Sequence, residues 1–337
     1  MVKKLKFLAM LLFFILFVLQ PEAEALLKPA PLKRGDRVAL MTLSSPAKGK
    51  RLELSVKAVK DLFGYKPVLY PSSGTARGYL TGSSDESKAR ELEAAFKDPE
   101  IKGIICVMGG YGSQRILKHL NPEIIKSNPK VFMGFSDVTA LHSFINDKCG
   151  VATFHGPMAL TTALAVQKTK DLRWLEWSRN LIEKPTLLPG PMENSEPLFS
   201  YRGGKATGEI AGGNLTILAS LTGTPWQKDF DGKIVFLEET GEDTYRVERL
   251  LIQLRDSGAF DKAAGFLLGS FENCNPQEGD QTLDEIIKDV LVPLGKPVLA
   301  NLKSGHGTIN YAIPFGVKAE IDGDKKRIIF LEKALNK

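Results

Sequence analysis

One short segment, residues 130–141 (KVFMGFSDVTAL), constrains the fold more than any other part of the chain. An apolar run ends at Gly134-Phe135-Ser136, and Asp137 to Leu141 read as the first turns of a helix. A strand, a tight turn and a helix in immediate succession form the repeating unit of open α/β sheets. The turn sets a serine hydroxyl at the C-terminal edge of a strand, which is where such sheets bind ligands. Several unrelated hydrolases present a nucleophile on such a turn. A purely structural role stays open at this point: Ser136 could instead cap the helix, with Asp137 favoured in its first turn by the helix dipole.

The surrounding pattern supports an α/β class. Apolar runs at 36–43, 67–70, 101–108 and 131–133 alternate with helical periodicity at 51–63, 85–96 and 113–119. That alternation predicts a doubly wound parallel sheet over residues 33–163. Between 164 and 203 the pattern breaks. This stretch holds Trp174, Trp177 and a Pro-rich section around Pro185, Pro189, Pro191 and Pro197, and it reads as a linker carrying a helix. From 204 to 335 strands are expected at 207–210, 233–237, 264–269, 297–301, 312–321 and 327–331, with helices at 214–221, 244–256 and 283–290. The expected fold is therefore α/β: an N-terminal doubly wound parallel-sheet domain followed by a C-terminal, β-rich α/β domain.

Residues 1–25 are read apart from the fold. Lys3, Lys4 and Lys6 precede a 13-residue apolar run, and Ala23-Glu24-Ala25 is a small-x-small cleavage signal. This is the pattern of a secretory signal peptide cut after Ala25, which predicts a periplasmic or secreted protein. The run is shorter than the roughly 20 residues of a membrane-spanning helix, so membrane anchoring follows only if the signal is retained. The charge of +6 comes from 45 basic and 39 acidic residues spread along the chain, a distribution that argues against nucleic-acid binding. Three cysteines are too few for a disulfide scaffold; Cys106 sits in an apolar run, and pairing of Cys149 with Cys274 is left open. The four histidines, His119, His142, His155 and His306, lack metal-ligand spacing, and no metal or other cofactor is expected.

A serine nucleophile needs a base, and the base needs an orienting acid. His306 has the most suggestive setting, on a Gly-flanked loop (Ser304-Gly305-His306-Gly307) after a strand; an ordinary loop histidine would look the same. His155 competes as a pocket-lining residue. His142 would project about 240° around the helix from Ser136, at about 100° per residue, and so points away. The acid candidates are Glu238 and Glu239, at the end of an apolar strand. Gly109-Gly110-Tyr111-Gly112 offers unhindered amides to an oxyanion, and it lacks the Lys-Ser/Thr of a phosphate loop. Arg246 and Arg249 fall on a charged helix, from which one could reach a substrate carboxylate.

Ordered along the chain, these segments resemble the LD-carboxypeptidase family, serine peptidases that include muramoyltetrapeptide carboxypeptidase and the microcin C immunity peptidase. They are Ser45-Pro46, Gly109-Gly110-Tyr111-Gly112 with Arg115, Gly134-Phe135-Ser136-Asp137-Val138-Thr139, Phe154-His155-Gly156-Pro157 and Gly212-Gly213-Asn214-Leu215. They continue through Phe236-Leu237-Glu238-Glu239 with Tyr245 and Arg249, then Gly305-His306-Gly307 and Pro314-Phe315-Gly316-Val317. The resemblance spans residues 36–332. It implies a Ser136–Glu238–His306 triad, with Glu239 as the fallback acid, and an oxyanion hole from the amides near Gly110 and of Asp137. It also implies substrate contacts from Tyr111 and Arg115 or Arg249, a homodimer, and no metal. The implied reaction hydrolyses the L,D-peptide bond before the terminal D-alanine of a murein tetrapeptide. Met108 stands where many members have arginine, which keeps open a related peptidase or amidase acting on a peptide antibiotic or another acyl-amino acid conjugate. A non-catalytic muropeptide-binding envelope protein is the third reading. An unrelated α/β-hydrolase is disfavoured, because Gly-Phe-Ser-Asp-Val is not Gly-x-Ser-x-Gly.

Overall fold

The computed structural model describes residues 25–82, 84–187, 192 and 194–337. The signal-peptide reading, apart from Ala25, and two of the expected linker prolines, Pro189 and Pro191, lie outside these residues.

The first sheet forms where the sequence is apolar on both faces. Its strands are β1 (Arg37–Met41) and β2 (Lys66–Leu69), then, after a short hairpin of β3 (Ala76–Arg77) and β4 (Leu80–Thr81), β5 (Ile101–Cys106), β6 (Val131–Gly134) and β7 (Thr153–His155). They pair in parallel in the order β2-β1-β5-β6-β7. Central β5 and β6 are buried nearly throughout, as parallel strands covered by helices must be. The helix Asp85–Lys97 starts at a capping box: Ser84 Oγ accepts from Ser87 N (3.1 Å) and Ser87 Oγ from Ser84 N (3.1 Å).

The second sheet contains β8 (Phe199–Arg202), β9 (Lys205–Asn214), β10 (Ile234–Thr240), β11 (Gly265–Glu272) and β12 (Val298–Ala300). The chain then returns to the first sheet as β13 (Ile313–Phe315) before adding β14 (Lys318–Asp322) and β15 (Arg327–Phe330). Order in the second sheet is β15-β14-β9-β10-β11-β12-β8, parallel from β9 to β12 and antiparallel at the edges. The single strand expected over 312–321 is thus two. Gly316 takes φ 77°, a left-handed conformation that ends the extended run, and its amide donates to the Ile210 carbonyl at 2.9 Å. The first half pairs with β7 and the second with β9.

One apolar core spans both sheets, with Met133 and Phe154 from the first and Phe236 and Leu267 from the second. The stretch read as a linker packs into it: Trp174 is fully buried, and Trp177 Nε1 donates to the Ala312 carbonyl at 2.9 Å. Burying a side chain of this size contributes on the order of 2–3 kcal/mol, so this stretch helps hold the sheets together. Cys106, Cys149 and Cys274 are free, buried thiols.

Candidate active site

Ser136 lies one residue beyond β6, after Phe135, and has φ 65°, a conformation uncommon outside glycine. Strain of this kind persists only where neighbours over-determine the backbone. Here they do. The Gly134 carbonyl accepts from His142 Nε2 (2.8 Å) and from Gly156 N (3.1 Å). His142 Nδ1 in turn accepts from the Thr153 hydroxyl at 2.8 Å. This bonding requires a neutral ring, and burial holds the His142 pKa down at about 4, against the opposing pull of the Gly134 bond. His142 therefore anchors the strand end beneath the serine and takes no part at the hydroxyl, as its position on the helix predicts.

Glu238 lies within β10, fully buried, because the strand runs three residues beyond its expected end. Its Oε2 sits 2.6 Å from His306 Nδ1, and His306 Nε2 sits 2.9 Å from Ser136 Oγ. A carboxylate only accepts, which assigns the ring proton to Nδ1 and leaves Nε2 free to receive the serine proton. Burial pulls the His306 pKa down, but the charge and hydrogen bond of Glu238, with Glu239 and Glu272 behind, outweigh it and raise the value. The approach requires glycine at 305: φ is 123°, and a Cβ would lie 2.6 Å from Glu238 Oε2 and 2.7 Å from Ser270 Oγ. The Phe135 ring packs edge-on to His306, centroids 4.9 Å apart.

Glu239 points to the other side of the strand and is fully engaged. Its oxygens accept from Asn214 Nδ2 (2.9 Å), Thr240 N (2.8 Å) and Thr216 N (2.7 Å), which ties β10 to the start of the helix Leu215–Leu221. His155 is also outside the relay. It is fully buried among Phe135, Phe236 and Phe315, with no hydrogen-bond partner for either ring nitrogen among the described residues. Burial, with the charges of His142 and His306, pushes its pKa well down, so it stays neutral.

The glycine loop lies directly on the serine. A Cβ on Gly109 would sit 2.8 Å from Ser136 Cβ and 3.6 Å from the Asp137 amide nitrogen. Gly110 (φ 115°) is pressed against Ser45, whose amide donates to the Gly109 carbonyl (3.3 Å) and whose Oγ accepts from Tyr111 N (3.1 Å). The Asp137 carboxylate accepts from Ser113 N (2.8 Å) and Gly112 N (3.4 Å), while Ser113 Oγ donates to the Asp137 carbonyl. Loop and serine turn are thus one hydrogen-bonded unit. Tyr111 is half exposed and packs on exposed Tyr79, 5.7 Å between centroids. Arg115 is bound to Asp85 (Nη2–Oδ2 2.7 Å), which Arg77 shares at 3.2 Å, so that ion pair sets its position. Arg249 is exposed, its guanidinium 5.4 Å from the Tyr245 ring centroid, and no contact joins it to the relay.

Two residues gain roles that their segments alone did not assign. Ser45 braces the glycine loop. Thr139, three residues after Ser136, accepts from Asn214 N at 3.0 Å, and a Cβ on Gly213 would lie 2.6 Å from its methyl carbon. The second sheet is therefore keyed to the helix that carries the nucleophile, and the signal for it is the Gly212-Gly213-Asn214 run at the end of β9.

Comparisons with known proteins identify the family. The LD-carboxypeptidase N-terminal domain matches residues 38–156 and the LD-carboxypeptidase C-terminal domain residues 207–321. A probable murein peptide carboxypeptidase of Bacillus subtilis is 34% identical over 304 residues, covering 90% of this chain and 93% of that protein. A murein tetrapeptide carboxypeptidase of Pseudomonas aeruginosa is 33% identical over 254 residues, covering 74% and 81%. Among solved structures, MccF in complex with glutamyl sulfamoyl guanosine superposes with a TM-score of 0.81 at 27% identity, covering 92% of this chain and 100% of that one. Sequence and fold thus agree over nearly the whole length: the chain belongs to the LD-carboxypeptidase family, and it is a carboxypeptidase.

Proposed function

We propose that this enzyme is a serine LD-carboxypeptidase that removes the terminal D-alanine from murein tetrapeptides, with Ser136, His306 and Glu238 as its triad. The observation that carries the reading is the continuous relay from Ser136 Oγ through His306 (2.9 Å and 2.6 Å) to a carboxylate shielded from water. His306 Nε2 takes the Ser136 proton as the oxygen attacks the carbonyl carbon of the scissile L,D bond. The tetrahedral oxyanion forms against the amides of the Gly110 region and of Asp137; one such donor is worth about 100- to 1,000-fold in rate. The imidazolium, held by Glu238, protonates the departing D-alanine, and water then releases the tripeptide from Ser136 by the same steps in reverse order. The substrate class is carried over from the two murein carboxypeptidases above. The reading of residues 1–25 places the reaction in the periplasm or outside the cell.

The test is mass spectrometry of tetrapeptide incubated with the protein lacking residues 1–25. Tripeptide plus D-alanine is expected, with Ser136→Ala slower by about 10⁴-fold or more at unchanged folding. Full activity in Ser136→Ala removes the serine from the mechanism.

A second reading has one specific support. The likeness to MccF, a microcin C7 self-immunity protein, fits a peptidase acting on a peptide antibiotic or another acyl-amino acid conjugate. At the start of the glycine loop Met108 packs half-buried against the core and offers no charge to a substrate. Cleavage of an aminoacyl sulfamoyl nucleoside with no turnover of tetrapeptide would favour it.

A further inference from the structure

Lys88 is a buried charge that the mechanism leaves unused. It lies on the helix Asp85–Lys97 and is entirely removed from solvent, a rare state for a lysine unless its charge is compensated. Its Nζ lies 3.4 Å from the Leu43 carbonyl, and a Cβ on Gly112 would lie 3.5 Å from it. Gly112 itself has φ 128° and donates its amide to Asp137. The ammonium therefore sits under the same stretch of glycine loop that the Asp137 carboxylate grips from the serine side. The two buried charges, of opposite sign, flank residues 112–113.

We propose that Lys88 is a positioning residue for the reaction: its buried charge offsets that of Asp137, whose carboxylate clamps the Gly112 and Ser113 amides and so fixes the oxyanion loop over Ser136. The inference rests on the serine-peptidase reading for its catalytic consequence. Neighbouring charges are consistent with it. Lys88 faces Asp85 on its own helix, Arg77 on the hairpin, Arg115 beyond the loop and Asp137 on the serine turn; Asp137 also faces the Cys106 thiol. Asp85 acts on the Lys88 charge more strongly than Asp137 does but is itself held by Arg77 and Arg115; Asp137 is the carboxylate that meets Lys88 from the serine side. Burial lifts the Asp137 pKa, against the hydrogen bonds from Ser44, Ser113 and Gly112, and losing a nearby cation would raise it further.

The test compares Lys88→Met with the isosteric, uncharged pair Lys88→Met/Asp137→Asn. Two readouts are taken: steady-state kinetics against pH, and hydrogen exchange of the amides at 112 and 113. In Lys88→Met, kcat falls about 10- to 100-fold with KM within about twofold, as expected for a displaced oxyanion loop. On the acid side its kcat/KM gains a second, steeper step that the wild type lacks, because the Asp137 pKa rises when the cation is lost and protonation releases the clamp. Exchange at the two amides quickens by about tenfold. The double variant loses the extra acid step. Unchanged exchange and an unchanged acid limb in Lys88→Met overturn the inference, as does an extra acid step that survives in the double variant, since that step then does not belong to Asp137. If Lys88→Met alone does not fold, a folded double variant supports charge compensation and an unfolded one refutes it. Absence of wild-type turnover would sink the proposed reaction while leaving the exchange experiment to decide the clamp.

Discussion

Replacing Glu238 by glutamine isolates what its charge does, because shape and most packing are kept. The carboxylate accepts from His306 Nδ1 at 2.6 Å with no exposure to water. A hydrogen bond to a charged acceptor contributes roughly 1.5–3 kcal/mol, which is about one to two pKa units of preference for the imidazolium. In the wild type that preference more than offsets burial, and the His306 pKa ends above its ordinary 6.5. With glutamine only burial and the more distant Glu239 and Glu272 remain, so the value drops. His306 must be neutral to receive the serine proton, so the acid limb of kcat/KM moves to lower pH with it. The plateau falls as well, by about 10²- to 10⁴-fold, because the imidazolium formed during attack loses its counter-charge and the ring can settle in the wrong tautomer. Linkage gives the sign for stability. A histidine whose folded pKa is raised stabilises the fold fully below its unfolded value near 6.5, and loses that contribution as pH rises through the folded value. The thermal midpoint of the wild type should therefore exceed that of Glu238→Gln by more at about pH 5.5 than at about pH 8.5. The checks are the pH–rate profile, the NMR titration of the His306 ring and melting curves at both pH values. An acid limb that stays in place or moves upward would falsify the assignment of Glu238 as the group that tunes His306.

Two further substitutions separate chemistry from architecture. Glu239→Gln weakens contacts to Asn214, Thr216 and Thr240 without touching the relay, so it should lower stability by about 1–3 kcal/mol in urea melts and move the acid limb down only slightly, through the loss of its charge near His306; a shift as large as that of Glu238→Gln would return Glu239 to the acid role. His142 carries the opposite linkage sign to His306. Its folded pKa of about 4 lies below the unfolded value of 6.5, so its contribution is complete above about pH 6.5 and is lost as pH falls toward 4, by up to about 3 kcal/mol. His142→Asn should flatten stability across that acid window while lowering it at neutral pH, and an unaltered acid slope in thermal melts would show that another group sets it.

How much of this was legible in the sequence depends on whether the signal is local. Ser136 and His306 stand out because each backbone announces itself: an apolar strand stopping at Gly-x-Ser, and a histidine between two glycines. Both positions turn out to need that chemistry, since φ is 65° at Ser136 and a Cβ at 305 would collide with Glu238. The choice between Glu238 and Glu239 is different in kind. Neighbours on a strand face opposite ways, and β10 is buried on both faces up to Glu239, so no polar alternation marks which side holds the site. Only partners distant in the chain, His306 on one face and Asn214 with Thr216 on the other, distinguish the two carboxylates.

The same reasoning explains two features that no local pattern reveals. Residues 312–321 look like one apolar strand because nothing local says that Phe315 belongs beside Thr153 while Ala319 belongs beside Gly208; Gly316 marks a break but not the destination of either half. Lys88, within a helix whose charges suggest a solvated face, is buried because the hairpin and the glycine loop fold over it. Both cases arise where the two sheets and the serine turn meet. Local pattern identifies the groups able to do chemistry, whereas the groups that hold them in register are set by long-range packing. β13 crosses back to the first sheet, Asn214 bonds Thr139, and Glu238 reaches His306, so assembly of the relay and closure of the shared core are one event. A substitution that loosens the β13–β7 pairing should therefore cost activity before it costs the fold of either sheet, because the 2.9 Å contact between Ser136 and His306 bridges two elements whose relative position that crossing strand helps to set.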